Sequence, residues 1–151
     1  MKPALIMASL TVAAAAVTNP ASALHINQHA TGSFQALYGS DAQYINNSLS
    51  AGVYNTHTTS SKYITGGLVR NPSSTQTVYF FANFLSSSAS MTCYVYGYNY
   101  DGTLVDSDTV TFTSSYGSAV LTGLPSYGVI GAYCLLPPSG AARLFAYAVV
   151  P

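Results

Sequence analysis

From residue 24 onward, apolar and polar residues alternate with a period of two far more often than they recur at helical spacing. Such alternation sets apolar side chains on one face of an extended strand and polar ones on the other, the mark of a half-buried β-strand. Strands are expected near 31–38, 43–54, 61–69, 76–85, 91–100, 103–113, 118–123, 128–136 and 142–150. Between them, Gly39-Ser40-Asp41, Asn71-Pro72-Ser73-Ser74, Ser86-Ser87-Ser88, Ser114-Ser115-Tyr116-Gly117, Pro125-Ser126 and Pro137-Pro138-Ser139-Gly140 carry turn chemistry. Short strands at this spacing, with no repeat of fixed period, predict an all-β fold: one antiparallel β-sandwich, jelly-roll or immunoglobulin-like, of eight or nine strands. "TVYFFANF" is apolar in both registers, Val78, Phe80, Ala82 and Phe84 against Tyr79 and Phe81, so it is expected to be central and covered on both sides. "ARLFAYAVV" sets Arg143, Phe145, Tyr147 and Val149 against Leu144, Ala146, Ala148 and Val150.

The sharpest pattern is "MTCYVYGYNYDGTLV", residues 91–105. Asp101-Gly102 between two alternating runs predicts a hairpin closed by a two-residue type I′ turn, which needs positive φ at both positions. In that register Tyr100 faces Thr103, Asn99 faces Leu104, Tyr98 faces Val105, Tyr96 faces Ser107, Tyr94 faces Thr109 and Cys93 faces Val110. One face collects Met91, Cys93 and Val95 with Val110 and Phe112. The other collects Thr92, Tyr94, Tyr96 and Tyr98 with Val105, Ser107, Thr109 and Thr111. A disulfide joining two sheets must point inward, so the cysteine face is assigned to the core and the tyrosines to the outside. Asp106 and Asp108 then fall on the core face. A β-bulge around Asp106-Ser107-Asp108 is expected to turn one or both to solvent, because burying an unpaired carboxylate is costly.

The chain opens with Lys2, an apolar run from Ala4 to Val17 and the small triplet Ala21-Ser22-Ala23. This is the layout of a signal peptide over residues 1–23, and the run falls short of the roughly 20 apolar residues that a spanning helix needs. Residues 24–151 then form a single domain, secreted to the periplasm or the extracellular space, with no membrane span. Its charges are Lys62, Arg70 and Arg143 against Asp41, Asp101, Asp106 and Asp108, with no glutamate anywhere. So few basic groups cannot neutralise a run of phosphates, so no nucleic acid is expected as a partner. So little net charge also does little to keep copies apart, which makes self-association a candidate behaviour.

Cys93 and Cys134, an even count without C-x-x-C spacing, are expected to form a structural disulfide in an oxidising compartment. No G-x-S-x-G or H-E-x-x-H motif is present, and four aspartates with no glutamate make a glycosidase pair hard to assemble. The expectation is a non-catalytic protein without a cofactor. His25 and His29 have helical metal-ligand spacing but lie at the new N-terminus, and His57 sits in a Ser/Thr-rich stretch, so none is assigned to a metal. Asp101, Asp106 and Asp108 could gather around calcium, but D-x-D alone is a weak signal and Asp101 is explained by its turn. Asn46-Asn47-Ser48 matches a glycosylation sequon.

The segments "RNPSSTQTVYFFANF", "MTCYVYGYNYDGTLV" and "YCLLPPSGAARLFAYAV" resemble a group of small secreted bacterial proteins of unknown function, in which a tyrosine-rich Cys strand is followed late in the chain by C-x-L-P-P. The resemblance covers residues 70 to 151, implies a Cys93–Cys134 bridge and export, and supplies no catalytic residue. Members carry an earlier cysteine pair, which "SFQALYG" and "ITGGLVRNP" lack here. The function expected is extracellular binding, with Tyr94, Tyr96 and Tyr98 as contact rings and Ser107 and Thr109 as hydrogen-bonding neighbours. Candidate partners are a glycan, a protein surface or a second copy of the chain. A self-assembling surface protein is the alternative.

Overall fold

A computed structural model describes residues 26–151; the expected signal peptide and His25 lie outside the described residues. Among the described residues eleven strands form: β1 (Ile26–His29), β2 (Gln35–Ala36), β3 (Ile45–Ser48), β4 (Gly52–Asn55), β5 (Lys62–Leu68), β6 (Gln76–Phe84), β7 (Met91–Tyr98), β8 (Leu104–Phe112), β9 (Tyr116–Leu121), β10 (Val129–Leu136) and β11 (Ala142–Val150). The expected number was eight or nine. The excess lies at the N-terminal end, where β1 and the two-residue β2 flank a 3-10 turn and a tight hairpin at residues 49–51 splits the stretch 43–54 into β3 and β4.

The strands build two antiparallel sheets that pack face to face as a β-sandwich. One runs β3-β4-β11-β6-β9, with β1 also on β11; the other runs β2-β5-β10-β7-β8. The pairs β4·β11, β5·β10, β6·β9 and β7·β8 nest inside one another. The central chain is thus one long hairpin, with its tip between β7 and β8, folded so that successive pairs fall alternately into the two sheets. That winding is the jelly roll, so of the two expected topologies the strand order is the first. Between the sheets Ile64, Val78, Phe80, Met91, Cys93, Val95, Leu121, Cys134, Leu136, Leu144 and Tyr147 form a continuous buried core.

The hairpin tip differs in detail from expectation. Gly102 alone has positive φ, 84°, while Gly102 N–H donates to the Asn99 carbonyl at 3.1 Å and Asn99 N–H to Thr103 O at 2.9 Å. This is a type I turn followed by a left-handed glycine, which spares Asp101 the positive φ that a type I′ turn would impose. The register holds from Met91↔Phe112 to Gly97↔Asp106 and then slips, with Tyr98 opposite Leu104. The bulge therefore falls at Val105 and not around Asp106-Ser107-Asp108.

Asp106 and Asp108 keep the inward phase and escape unpaired burial because β8 is an edge strand. Asp106 Oδ2 accepts from Thr122 N at 2.7 Å and Thr122 Oγ1 at 3.0 Å, and Asp108 Oδ2 accepts from Val120 N at 2.8 Å. Those N–H groups lie along the edge of β9 and just past its end, in the other sheet, so two carboxylates close the seam between the sheets and cover a polar edge.

Two further expectations are corrected. β6 is central in its sheet, but its outer face is open: Phe81 is 39% exposed. In β11 a bulge between Leu144 and Ala146 changes the phase, so Leu144 before it and Tyr147 and Val149 after it all face the core. Neither alternating set is inward along the whole strand. β11 changes partner at the same place, from β4 to β1.

Candidate functional site

Cys93 and Cys134 are bonded, with a Cα–Cα separation of 4.1 Å. They are directly opposed on the neighbouring strands β7 and β10. The bridge is thus a cross-strand staple within one sheet, where a link between two sheets was expected. The short separation resembles the closer, non-hydrogen-bonded class of antiparallel pair, about 4.5 Å. Both sulfurs are buried, and burial alternates strictly along β7, with Met91, Cys93, Val95 and Gly97 inside. Thr92, Tyr94, Tyr96 and Tyr98 stand half-exposed on the outer face.

The same register brings in residues from β5 and β10. Across the outer face, one row reads Thr109, Tyr94, Tyr133, Thr65, Gln35; the next reads Ser107, Tyr96, Gly131, Gly67; a third begins Tyr98, Val129. Rows of this kind are spaced about 7 Å apart along the strands. The paired glycines leave a trench between the flanking rows. Two shallow hollows open on this face: one of about 280 Å³ lined by Leu37, Tyr38, Tyr63, Tyr94, Tyr96 and Tyr133, and one of about 410 Å³ over the glycine row, bounded by Gln35, Thr65, Tyr98 and Val129.

The rings brace one another. Tyr96 stacks on Tyr98 at 6.3 Å and 24°, and meets Tyr133 edge-on at 5.5 Å. Burial first, and then the neighbouring Tyr133 and Tyr96 phenols, push the Tyr98 hydroxyl above the ordinary tyrosine value. It remains a hydrogen-bond donor through the neutral range. Ser107 and Thr109 are exposed beside Tyr96 and Tyr94, and Thr92 Oγ1 meets Thr111 Oγ1 at 2.8 Å, so hydroxyls border the rings.

None of the residues lining either hollow is charged. The charged side chains are engaged elsewhere. Lys62 pairs with Asp41 at 2.7 Å, and Arg143 lies over Tyr54 at 4.7 Å. Arg70 donates to the carbonyls of Asn71, Ser73, Pro125 and Gly128, tying the loop before β6 to the loop before β10. Asp101 accepts from Thr103 N in the hairpin turn. No three His, Cys, Asp or Glu side chains converge as a metal group among the described residues. His57 is not simply solvated: its Nδ1 accepts from Thr59 N and Ser60 N at 3.2 and 3.1 Å, and its ring meets Tyr44. His29 caps the turn after β1 through Thr31.

The sequence reading missed Tyr63, Tyr133, Gly67 and Gly131. Tyr133 had a signal, because Cys93-Tyr94 and Tyr133-Cys134 are mirror images, and a bridge across antiparallel neighbours places Tyr94 opposite Tyr133. No protein-family model matches the chain, and no curated protein is detectably similar to it.

Proposed function

We propose that this is a secreted, non-catalytic binding domain that takes a neutral polysaccharide on the outer face of the β2-β5-β10-β7-β8 sheet. The observation that carries the reading is the uncharged face that sets Tyr63, Tyr94, Tyr96, Tyr98 and Tyr133 beside the paired Gly67 and Gly131. Sugar rings present apolar C–H faces and equatorial hydroxyls, which suit aromatic faces bordered by phenol, serine and threonine hydroxyls. A charged ligand would need a countercharge that the hollows lack. The disulfide is compatible with a periplasmic or extracellular location, and no helix of the described residues is long and apolar enough to cross a membrane.

The test is an array of neutral polysaccharides probed with the protein and its Tyr96→Ala variant. Binding by the protein, weakened roughly tenfold or more in the variant, is expected. No binding to any polysaccharide would remove the reading.

A self-assembling protein is favoured by a different observation. Phe81, Tyr116 and Val120 are 39%, 54% and 45% exposed on the opposite sheet, where Tyr79 contacts both Phe81 and Tyr116. Against it, the β9 edge is already covered by Asp106 and Asp108. Concentration-dependent sedimentation that Phe81→Ser abolishes would select this reading.

A further inference from the structure

The β7–β10 ladder does not stop at the strand ends. Its outer-face rungs are Tyr94–Tyr133, Tyr96–Gly131 and Tyr98–Val129, and continuing the register places Tyr100 opposite Tyr127. Those two rings do meet, edge-on, with centroids 5.2 Å apart. They are also among the most exposed apolar side chains of the described residues, at 74% and 61%. Gly128 holds this corner close to β7, since a Cβ there would come within 2.6 Å of the Tyr98 carbonyl oxygen. Nothing in the core requires the Tyr100–Tyr127 pair, and such exposed rings beside a strand end are otherwise an aggregation liability.

We infer that Tyr100 and Tyr127 form an outer subsite of the same strip, so that the ligand is an extended glycan chain of several sugar rings, lying along the β7–β10 ladder, and not a single terminal sugar. The inference rests on the glycan reading above. Tyr94 to Tyr98 spans about 14 Å, and the Tyr100–Tyr127 rung adds a further step. That length exceeds a disaccharide. Both hollows border the strip, one at Tyr94 and Tyr96 and the other at Tyr98, and at its far end Tyr127 and Val129, neighbours on the same face, are 61% and 57% exposed. A neutral chain with both ring faces accessible fits such a strip, whereas a pocket for a chain end would need a closing side.

The test measures affinity for β-1,4-linked glucose, xylose and N-acetylglucosamine oligomers from disaccharide to hexasaccharide, using the protein with Tyr100→Ala and Tyr127→Ala variants. Affinity is expected to rise with length, and each variant to weaken the hexasaccharide roughly three- to tenfold while leaving the disaccharide unchanged. Because both rings are exposed, the variants should keep the thermal midpoint of the parent, which is measured alongside. A disaccharide bound as tightly as the hexasaccharide, or variants that bind the hexasaccharide normally, would overturn the outer subsite and leave the glycan reading standing. Failure of every oligomer to bind would remove both.

Discussion

Single carboxylates decide how the sandwich is closed. Asp106 and Asp108 sit in the inward phase of an edge strand, and each accepts from backbone N–H groups of the opposite sheet. The Thr122 backbone N–H and then its hydroxyl hold the Asp106 carboxyl below the ordinary carboxylate value, with Ser107 N–H adding to the effect; Thr103 acts likewise on Asp101. A folded value below the unfolded one, about 3.9 for aspartate, means that the contribution is complete above that pH and is lost as pH falls through the folded value. Thermal midpoints measured from pH 7 down to pH 2 should therefore drop on the acid side of about pH 4. Asp106→Asn should lower the midpoint at neutral pH and converge on the parent in acid. A variant with an unchanged neutral midpoint would show that the seam closes without this bond. The D-x-D spacing revealed none of this, because its partners lie on β9 and just past its end, which only the folded topology brings alongside.

At the scale of elements, the staple between β7 and β10 fixes the register on which the tyrosine rows depend. It closes a sequence separation of 41 residues, and removing it should cost about 4 kcal/mol in the chain-entropy account. Cys93→Ala with Cys134→Ala, followed by denaturant unfolding, checks this, and the same variant should bind the polysaccharide more weakly than the parent. The strands from β5 to β11 were legible because strict alternation and Gly, Pro and Ser clusters are local signals. The bulges at Val105 and Phe145 were not, because each marks a place where a strand meets a particular partner or a tight turn. The outward phase of Tyr94, Tyr96 and Tyr98 was legible from the apolar set opposite, Met91, Cys93 and Val95. The inter-sheet role given to the disulfide was mistaken, although the inward direction of both sulfurs follows equally from a cross-strand bridge.

For the molecule as a whole, charges serve the margins and loops, and aromatic rings the open sheet faces. Lys62, Asp41, Arg70, Asp101, Asp106 and Asp108 hold turns, loops or seams, and Arg143 lies against Tyr54 in the opposite sheet, which leaves a neutral tyrosine strip on one sheet. Affinity for a neutral ligand should accordingly change little between low and high salt, since screening acts on charge; a steep fall with salt would point to an ionic ligand. The most direct measurement concerns the floor of that strip. A Cβ on Gly131 meets only Tyr98 Cε2, at 4.0 Å, and one on Gly67 meets nothing within 4 Å, with neither glycine at positive φ. Gly131→Val and Gly67→Val should fold like the parent while filling the trench between the tyrosine rows. Calorimetric titration of each with the hexasaccharide that the parent binds best is expected to show an unchanged melting midpoint and binding weakened at least tenfold, about 1.4 kcal/mol; full affinity in a folded, trench-filled variant would contradict the assignment of this face as the binding site.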